Sequence, residues 1–429
     1  MELIFHGAAQ EVGRSCIELK LSNDDRYLFD VGIKFKENGL QLPENVEKIH
    51  EVAGVFLSHA HLDHSGGLPL FEHKDLQGPI FCTRQTIAIS RLMLNDSFKV
   101  ARIRHVHAAY NKTDLENVMK DVRKVSFDRW YKHKDIKFKF YNAGHIPGSA
   151  MILVEAEGKK ILYTGDINTQ KTQLMFKAQP HPELKGKIDV LISESTNGHR
   201  IIPNREELNK KFLESVQETL DKKGKVIIPV FSVGRAQEIL ILLGQKEWDV
   251  PIYSDGLANK VTRQILANKS KYIDNKETLR KMFYETIHWI GSEKKRKDAM
   301  KKQGIFITTS GMLQGGPILS YIKEMWHDEN SKIMLVGFQC KNTNGRHLID
   351  EGYLYLDGWK TYVKCEVEKY DFSGHADAEG LKEIITSIQP KKLVFQHGDP
   401  ESVGAMYSWA IKNTKSKVYK PEINDLIKL

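Results

Sequence analysis

Cysteine is scarce. The four residues in 429, Cys16, Cys82, Cys340 and Cys365, lie far apart and form no C-x-x-C pair. That argues against a thiolate zinc site and against a disulfide framework, and leaves buried free thiols. No apolar stretch approaches the roughly 18 residues that a membrane helix needs. The N-terminus, Met1-Glu2-Leu3-Ile4-Phe5-His6-Gly7, has neither the basic start nor the apolar core of a signal peptide. Internal repeats, low-complexity tracts and long Pro/Gly/Ser linkers are missing as well. Together these absences point to a cytoplasmic globular protein with no membrane partner. What is present agrees. Hydrophobic residues make up 41% and charged residues 28%, an ordinary folded composition. The length calls for two domains, or one with a large insertion. Lys and Arg (64) outnumber Asp and Glu (55), and the net charge of +9 suits a polyanionic partner.

Short apolar runs alternate with helical patterns, the texture of an α/β protein. Five runs end in a residue able to bind a metal or move a proton: Tyr27 to Asp30, Val55 to His59, Ile161 to Asp166, Val190 to Glu194 and Leu393 to His397. Strand ends are where a sheet gathers polar groups from distant sequence positions. Between Asn197 and about Cys365 the pattern changes. Runs beginning at Val226, Pro251 and Ile305 lead through glycine-containing turns into helices such as Arg235 to Leu243 and Pro317 to Trp326. That is the βαβ rhythm of a parallel sheet. Ligand-like residues resume at His375 and His397. The expected organisation is a first domain, 1–196, interrupted by an inserted α/β domain, 197–365, and completed by 366–429.

The densest signal is His59-Ala60-His61-Leu62-Asp63-His64, with four metal-capable side chains in six residues after an apolar strand. If the segment is extended, His59 and His61 point the same way, while Asp63 and His64 lie beyond and reach a second ion. This H-x-H-x-D-H string resembles the signature of the metallo-β-lactamase superfamily. On that resemblance His145, in Gly144-His145-Ile146-Pro147-Gly148, is the third histidine and Asp166 the aspartate shared by two metals. Asp30 is then a support for the ligands and not a ligand. His105, His107 and His133 lack such contexts and are expected at the surface. Three further strings resemble the β-CASP branch, which processes nucleic acids: Ser193-Glu194-Ser195-Thr196, Phe372-Ser373-Gly374-His375-Ala376-Asp377 and Gln396-His397-Gly398-Asp399. Val233-Gly234-Arg235-Ala236-Gln237-Glu238 and Thr309-Ser310-Gly311-Met312-Leu313-Gln314-Gly315-Gly316-Pro317 look like the cleavage and polyadenylation specificity factor endonucleases more than RNase J. The implied fold is an α/β protein, an αββα sandwich interrupted by a β-CASP domain with a mainly parallel sheet.

Neutral imidazoles and carboxylates suit Zn²⁺, and two ions about 4 Å apart can clamp a phosphodiester while activating a water. The resemblance assigns His59, His61 and His145 to one zinc and Asp63, His64 and His397 to the other, with Asp166 between them. Mn²⁺ is the alternative ion. Asp63 counts among the catalytic residues as well. His375 is the expected general acid for the leaving 3′ oxygen, with Glu194 holding its ring and favouring the protonated form. The plainer alternative is a buried structural hydrogen bond between the two. His397 stands where DNA-repair members carry an aliphatic residue, which favours RNA. Asp399 stands where relatives commonly have glutamate.

Ser310, Gly311, Gly315 and Gly316 could present backbone N–H groups to a phosphate, or could simply form a tight turn. Arg235 and Arg346 could pair with RNA phosphates, or form a salt bridge at a domain interface. The basic run Glu293 to Lys297, with Lys301 and Lys302, is a solvated helix face or an RNA contact. Trp and Tyr show no RNA-reader spacing and are expected mostly in the core. The sequence therefore predicts a two-zinc ribonuclease acting on single-stranded RNA, endonucleolytic in mode. Its rivals are a 5′→3′ exoribonuclease of the RNase J type and a non-catalytic RNA-binding scaffold. A homodimer or an RNA-processing complex is the expected assembly.

Overall fold

A computed structural model describes residues 1–36, 39–73, 78–103, 110–179 and 181–429. The chain divides into two compact units. The first comprises Met1–Lys171, Lys177–Ile201 and His375–Leu429; the second comprises Thr172–Phe176 and Ile202–Gly374.

Two seven-stranded sheets build the first unit. One runs in the order Leu426–Lys428, Glu2–Phe5, Ile17–Lys20, Arg26–Phe29, Val52–Phe56, Ile80–Thr83, Val122–Val125. The other runs Lys417–Tyr419, Lys392–Gln396, Val190–Glu194, Lys159–Tyr163, Ala150–Ala156, Ile136–Asn142, Trp130–His133. Alternation along each strand feeds two different cores. Val190, Ile192 and Val394 join Phe29, Phe56, Phe138 and Tyr163 in one cluster. Leu191, Leu393 and Phe395 pack instead with Leu381, Ile384 and Ile385 of the helix Ala378–Ile388 and with Met406 of the helix Pro400–Asn413. A separate cluster, with Leu28, Val55, Leu57 and Ile80, forms on the other side of the first sheet. This layering is the expected αββα sandwich.

The interruption has a topological reason. Val190–Glu194 runs parallel to Lys159–Tyr163 on one side and to Lys392–Gln396 on the other, with Glu194 opposite Gln396. The strand beside Glu194 is thus supplied from about two hundred residues later, and it delivers His397 next to the Glu194 strand end.

The second unit is a six-stranded sheet, wholly parallel, in the order His288–Ile290, Ile252–Asp255, Ile305–Thr308, Val226–Pro229, Lys332–Leu335, Glu366–Lys369. Its central strands are buried throughout, as strands covered on both faces must be. The helix Arg235–Leu243 forms over the expected residues, and Ile318–Met325 follows the glycine turn. A separate hairpin, Tyr353–Leu356 with Trp359–Tyr362, completes the unit. Among the described residues no helix is long and apolar enough to cross a membrane.

Candidate active site

The segments that end the strands of the first unit bring the sequence-selected residues together. Ligand atoms of His59, His61, His145 and Asp166 all lie within 4.8 Å of one another, as do those of His59, Asp63 and His64, and those of His64, Asp166 and His397. The rings of His59 and His61 meet, Nε2 to Nδ1 at 3.2 Å, although the chain bends at Ala60 and His61 and forms no strand there. Asp63 and His64, however, sit on a short helix, Leu62–Ser65, and not on an extended continuation. Gly165 makes room for the approach of Asp166: its φ is +52°, and a Cβ there would lie 2.7 Å from that of Ser58. Asp30 and His397 also have positive φ, 59° and 50°, a left-handed region that Asp and His enter more readily than most non-glycine residues.

The cluster has the marks of a cation site. His59 Nε2 lies 3.2 Å from His61 Nδ1, and His145 Nε2 lies 3.1 Å from the same nitrogen. His64 Nε2 and His397 Nε2 are 3.3 Å apart. Three ring nitrogens meeting around His61 cannot all be satisfied by protons between them. Asp166 Oδ1 is buried and has no partner of hydrogen-bond geometry, although His397 Nδ1 stands 3.2 Å away. Ring nitrogens facing one another beside a buried carboxylate fit a shared divalent ion, and the donor set is of the type zinc takes.

Electrostatics prepares the same groups. Burial presses His59 well below the ordinary imidazole value, with the neighbouring histidines adding to it against Asp166. Burial likewise takes His61 down to about 4 despite Asp63 and Asp166. Both rings therefore offer lone pairs at neutral pH. Burial opposes ionisation of Asp63 and Asp166, but the surrounding histidines hold both well below the usual carboxylate range.

Asp30 organises the rings from behind. Its Oδ1 accepts from the Ser58 backbone N–H at 2.7 Å, and its Oδ2 accepts from Ser58 Oγ and Tyr163 OH, each at 2.7 Å. His64 Nδ1 lies 2.7 Å from Asp30 Oδ2 and donates to it, which turns Nε2 towards Asp166 Oδ2 at 3.4 Å. Because Ser58 Oγ–H is committed to Asp30, the oxygen is left to accept from His59 Nδ1 at 3.0 Å. Both histidines thus donate through Nδ1 and turn Nε2 inward. Against burial, Asp166 and Asp30 hold the His64 ring well above the ordinary imidazole value, so its Nε2 position favours positive charge, a proton or a cation. Ser58 and Tyr163 were not singled out from sequence. Ser58 could have been, as the polar residue that closes an apolar strand before His59; Tyr163 carries no such mark.

His375 Nδ1 lies 3.1 and 3.2 Å from the two oxygens of Glu194 and 3.9 Å from Asp166 Oδ2. Glu194 is fully buried and fixed by the N–H groups of Ile167 (2.7 Å) and Thr196 (3.3 Å). The His375 side chain keeps 22% of its surface exposed. Burial opposes its charge, but Glu194 and then Asp166 outweigh it, and the ring is pushed up to about 9.

Arg235, Ser310, Gly311, Gly315, Gly316 and Arg346 all belong to the second unit. Arg235 is paired with Glu238 one turn along its helix and lies over the Phe372 ring, and burial takes it down to about 10. Arg346 pairs with Asp350 at 2.6 Å and stays half exposed. Ser310 Oγ donates to the Gly315 carbonyl at 3.2 Å, closing a turn in which Gly315 and Gly316 have φ of 152° and 77°. In the basic helix Glu293–Met300, Arg296 turns onto Asp255 at 2.8 Å while its lysines stay exposed. His133 is half-buried, its Nε2 2.9 Å from the Ala53 carbonyl. His105 and His107 lie outside the described residues.

Comparison with known proteins defines the class first. Residues 19–196 match the metallo-beta-lactamase superfamily domain, 236–348 the Beta-Casp domain, and 362–421 the Zn-dependent metallo-hydrolase RNA specificity domain. The chain belongs to the metallo-β-lactamase superfamily and, within it, to the β-CASP family of metallo-hydrolases. It is 36% identical over 434 residues to the probable RNase MJ4 of Methanocaldococcus jannaschii, covering 100% of both chains. An RNase J-like protein of the same organism is 36% identical over 411 residues, 92% of each chain. Cleavage and polyadenylation specificity factor subunit 3 of Dictyostelium discoideum is 32% identical over 95% of this chain and 54% of its own. A protein of unknown function from Enterococcus faecalis V583 shares the fold, with a TM-score of 0.62 at 15% identity over 100% of this chain and 99% of that one.

Proposed function

We propose that this chain hydrolyses the phosphodiester bonds of single-stranded RNA, cutting internally and leaving 5′-phosphate and 3′-hydroxyl ends. The observation that carries the reading is the His375–Glu194 pair, a proton donor held beside a set of converging imidazoles. His59, His61 and His145 would hold one zinc and Asp63, His64 and His397 a second, with Asp166 shared between them. Bound there, the ions supply positive charge against the scissile phosphate and acidity to a water.

The chain's own residues do the positioning. Asp30 fixes His64 directly, and fixes His59 through Ser58. Glu194 keeps a proton on His375 and orients the ring through Nδ1, leaving Nε2–H as the proton to deliver. As the water oxygen bonds to phosphorus, the bond to the 3′ oxygen breaks and that oxygen takes the proton from His375. The names of the relatives, ribonucleases and a cleavage factor, support RNA over other phosphodiesters.

The test uses a circular RNA and its linear 5′-monophosphate form with zinc-loaded protein. Cutting of the circle is expected, because a circle offers no end. Loss of the linear RNA alone, as mononucleotides, would establish the exonucleolytic mode instead.

A further inference from the structure

The hairpin Tyr353–Leu356/Trp359–Tyr362 lies outside the parallel sheet of the second unit. Its two-residue turn, Asp357-Gly358, has positive φ at both positions, 50° and 84°. That turn geometry matches the twist of the strands. It fixes the register Tyr353↔Tyr362, Leu354↔Thr361, Tyr355↔Lys360 and Leu356↔Trp359. Alternation sends Leu354 and Leu356 into the unit's core and collects Tyr353, Tyr355, Lys360 and Tyr362 on the opposite face. The rings are ordered against one another. Tyr353 is 5.7 Å from Tyr355 and 5.8 Å from Tyr362 between centroids, and His347 lies nearly parallel to it at 5.1 Å. Lys360 Nζ stands 3.8 Å over the Tyr353 ring and 5.3 Å from that of Tyr362. Tyr353 itself is buried beneath Lys360, whereas Tyr355 and Tyr362 stay 45% and 61% exposed, and Trp359 at the turn 78%.

A face of this size and composition is matched to an occupant by its chemistry. Protein contacts exclude charge from their centres, whereas Lys360 stands in the middle of these rings. A single nucleic-acid strand uses both parts, its bases stacking on the rings and its phosphates pairing with the ammonium group. The hairpin is also joined to the glycine turn. Asn344 accepts from the Tyr355 N–H at 2.9 Å and donates to the carbonyls of Tyr355 and Leu313, each at 3.0 Å. Thr309 to Pro317 contains no acidic residue, so an anionic strand meets no repulsion within that turn.

We propose that the exposed rings of Tyr355 and Tyr362, with Lys360 held over the buried Tyr353, are a stacking platform that binds a segment of single-stranded RNA, separate from the residues that cut it. This rests on the RNA reading above and adds a place where the strand is held.

The test measures anisotropy of a labelled 20-nucleotide oligoadenylate on the full-length chain, in a His375→Ala background that prevents cutting. Tyr355→Ala/Tyr362→Ala is expected to weaken binding about tenfold or more, and Tyr355→Phe/Tyr362→Phe to stay within about twofold, with equal melting temperatures. Lys360→Gln, which leaves the rings in place, should bind more weakly and with a shallower salt dependence. With His375 restored, the alanine pair should raise KM and leave kcat unchanged. Unaltered affinity in the alanine pair overturns the proposal. So does a changed sedimentation coefficient with RNA affinity intact, which would make a second copy of the chain the occupant. A chain that binds oligoadenylate through this face yet cuts neither circular nor linear RNA leaves the platform standing and overturns the hydrolase reading. Cutting with the same KM in the alanine pair does the reverse.

Discussion

His375 keeps its proton through two kinds of carboxylate, and the two respond differently to metal. Glu194 is buried behind the ring and binds no candidate ion in the assignment proposed here, whereas Asp166 and Asp63 would have their charge cancelled by bound cations. In the loaded enzyme the ring should therefore titrate below about 9, with Glu194 as the main anion. A general acid with a raised pKa is available below that value and lost as pH rises through it, so kcat should fall on the alkaline side. Glu194→Gln removes the anion and should move that limb to lower pH. His375→Ala should abolish the limb and cost at least about a hundredfold in kcat, with zinc content unchanged by atomic emission. An alkaline limb that stays in place in Glu194→Gln would show that Glu194 does not set the proton affinity. Asp30→Ala acts through the metal instead. It strips Ser58, Tyr163 and His64 of their common acceptor, and zinc affinity, read against a competing chelator, should drop about 10- to 100-fold.

Strands were the most legible elements, because burial on one or both faces writes itself into the residue pattern. The run Val190 to Glu194 reads as a strand, and in the fold Leu191 faces one core while Val190 and Ile192 face another. Leu191→Ala should accordingly destabilise the protein by about 2–5 kcal/mol, seen as a lower denaturant midpoint with an unchanged slope. Pairings between distant segments were much less visible. The Ser58–Asp30–Tyr163 network exists because two sheets face each other, and no local spacing announces that. Trp and Tyr were expected mostly in the core, and Tyr353 is buried. The exposure of Tyr355 and Tyr362 follows from a register set by Asp357-Gly358, and only that register shows that they share the outer face. Arg235 and Glu238 stand at helical spacing in the sequence. What the spacing hides is that Glu238 is buried and that Arg235 is mostly covered and paired with it inside the second unit, with the arginine Nε left without a hydrogen-bond partner.

At the scale of the molecule, the candidate ligands come from segments that the chain makes far apart: 59–64, 145, 166 and 397. Ions held there would cross-link the ends of both sheets of the first unit, including the strand Lys392–Gln396 that returns after the inserted unit. The second unit has its own core of Ile227, Phe306, Tyr321 and Ile333, and no residue of the metal cluster lies in it. A ligand present at a hundred times its Kd stabilises the form that binds it by about 2.7 kcal/mol, and that gain belongs to the unit holding it. Chelation of zinc should therefore lower the first unit's stability and leave the second unit's nearly as it was. Hydrogen exchange with and without EDTA reads this directly. Amides of Val52–Phe56, Lys159–Tyr163, Val190–Glu194 and Lys392–Gln396 should lose protection on chelation and regain it with added zinc. Those of Val226–Pro229 and Ile305–Thr308 should not change. Equal loss in both sets would mean that the two units unfold as one. Loss in neither would mean that the imidazoles converge without a tightly held ion, which would remove the chemistry on which the proposed hydrolysis depends.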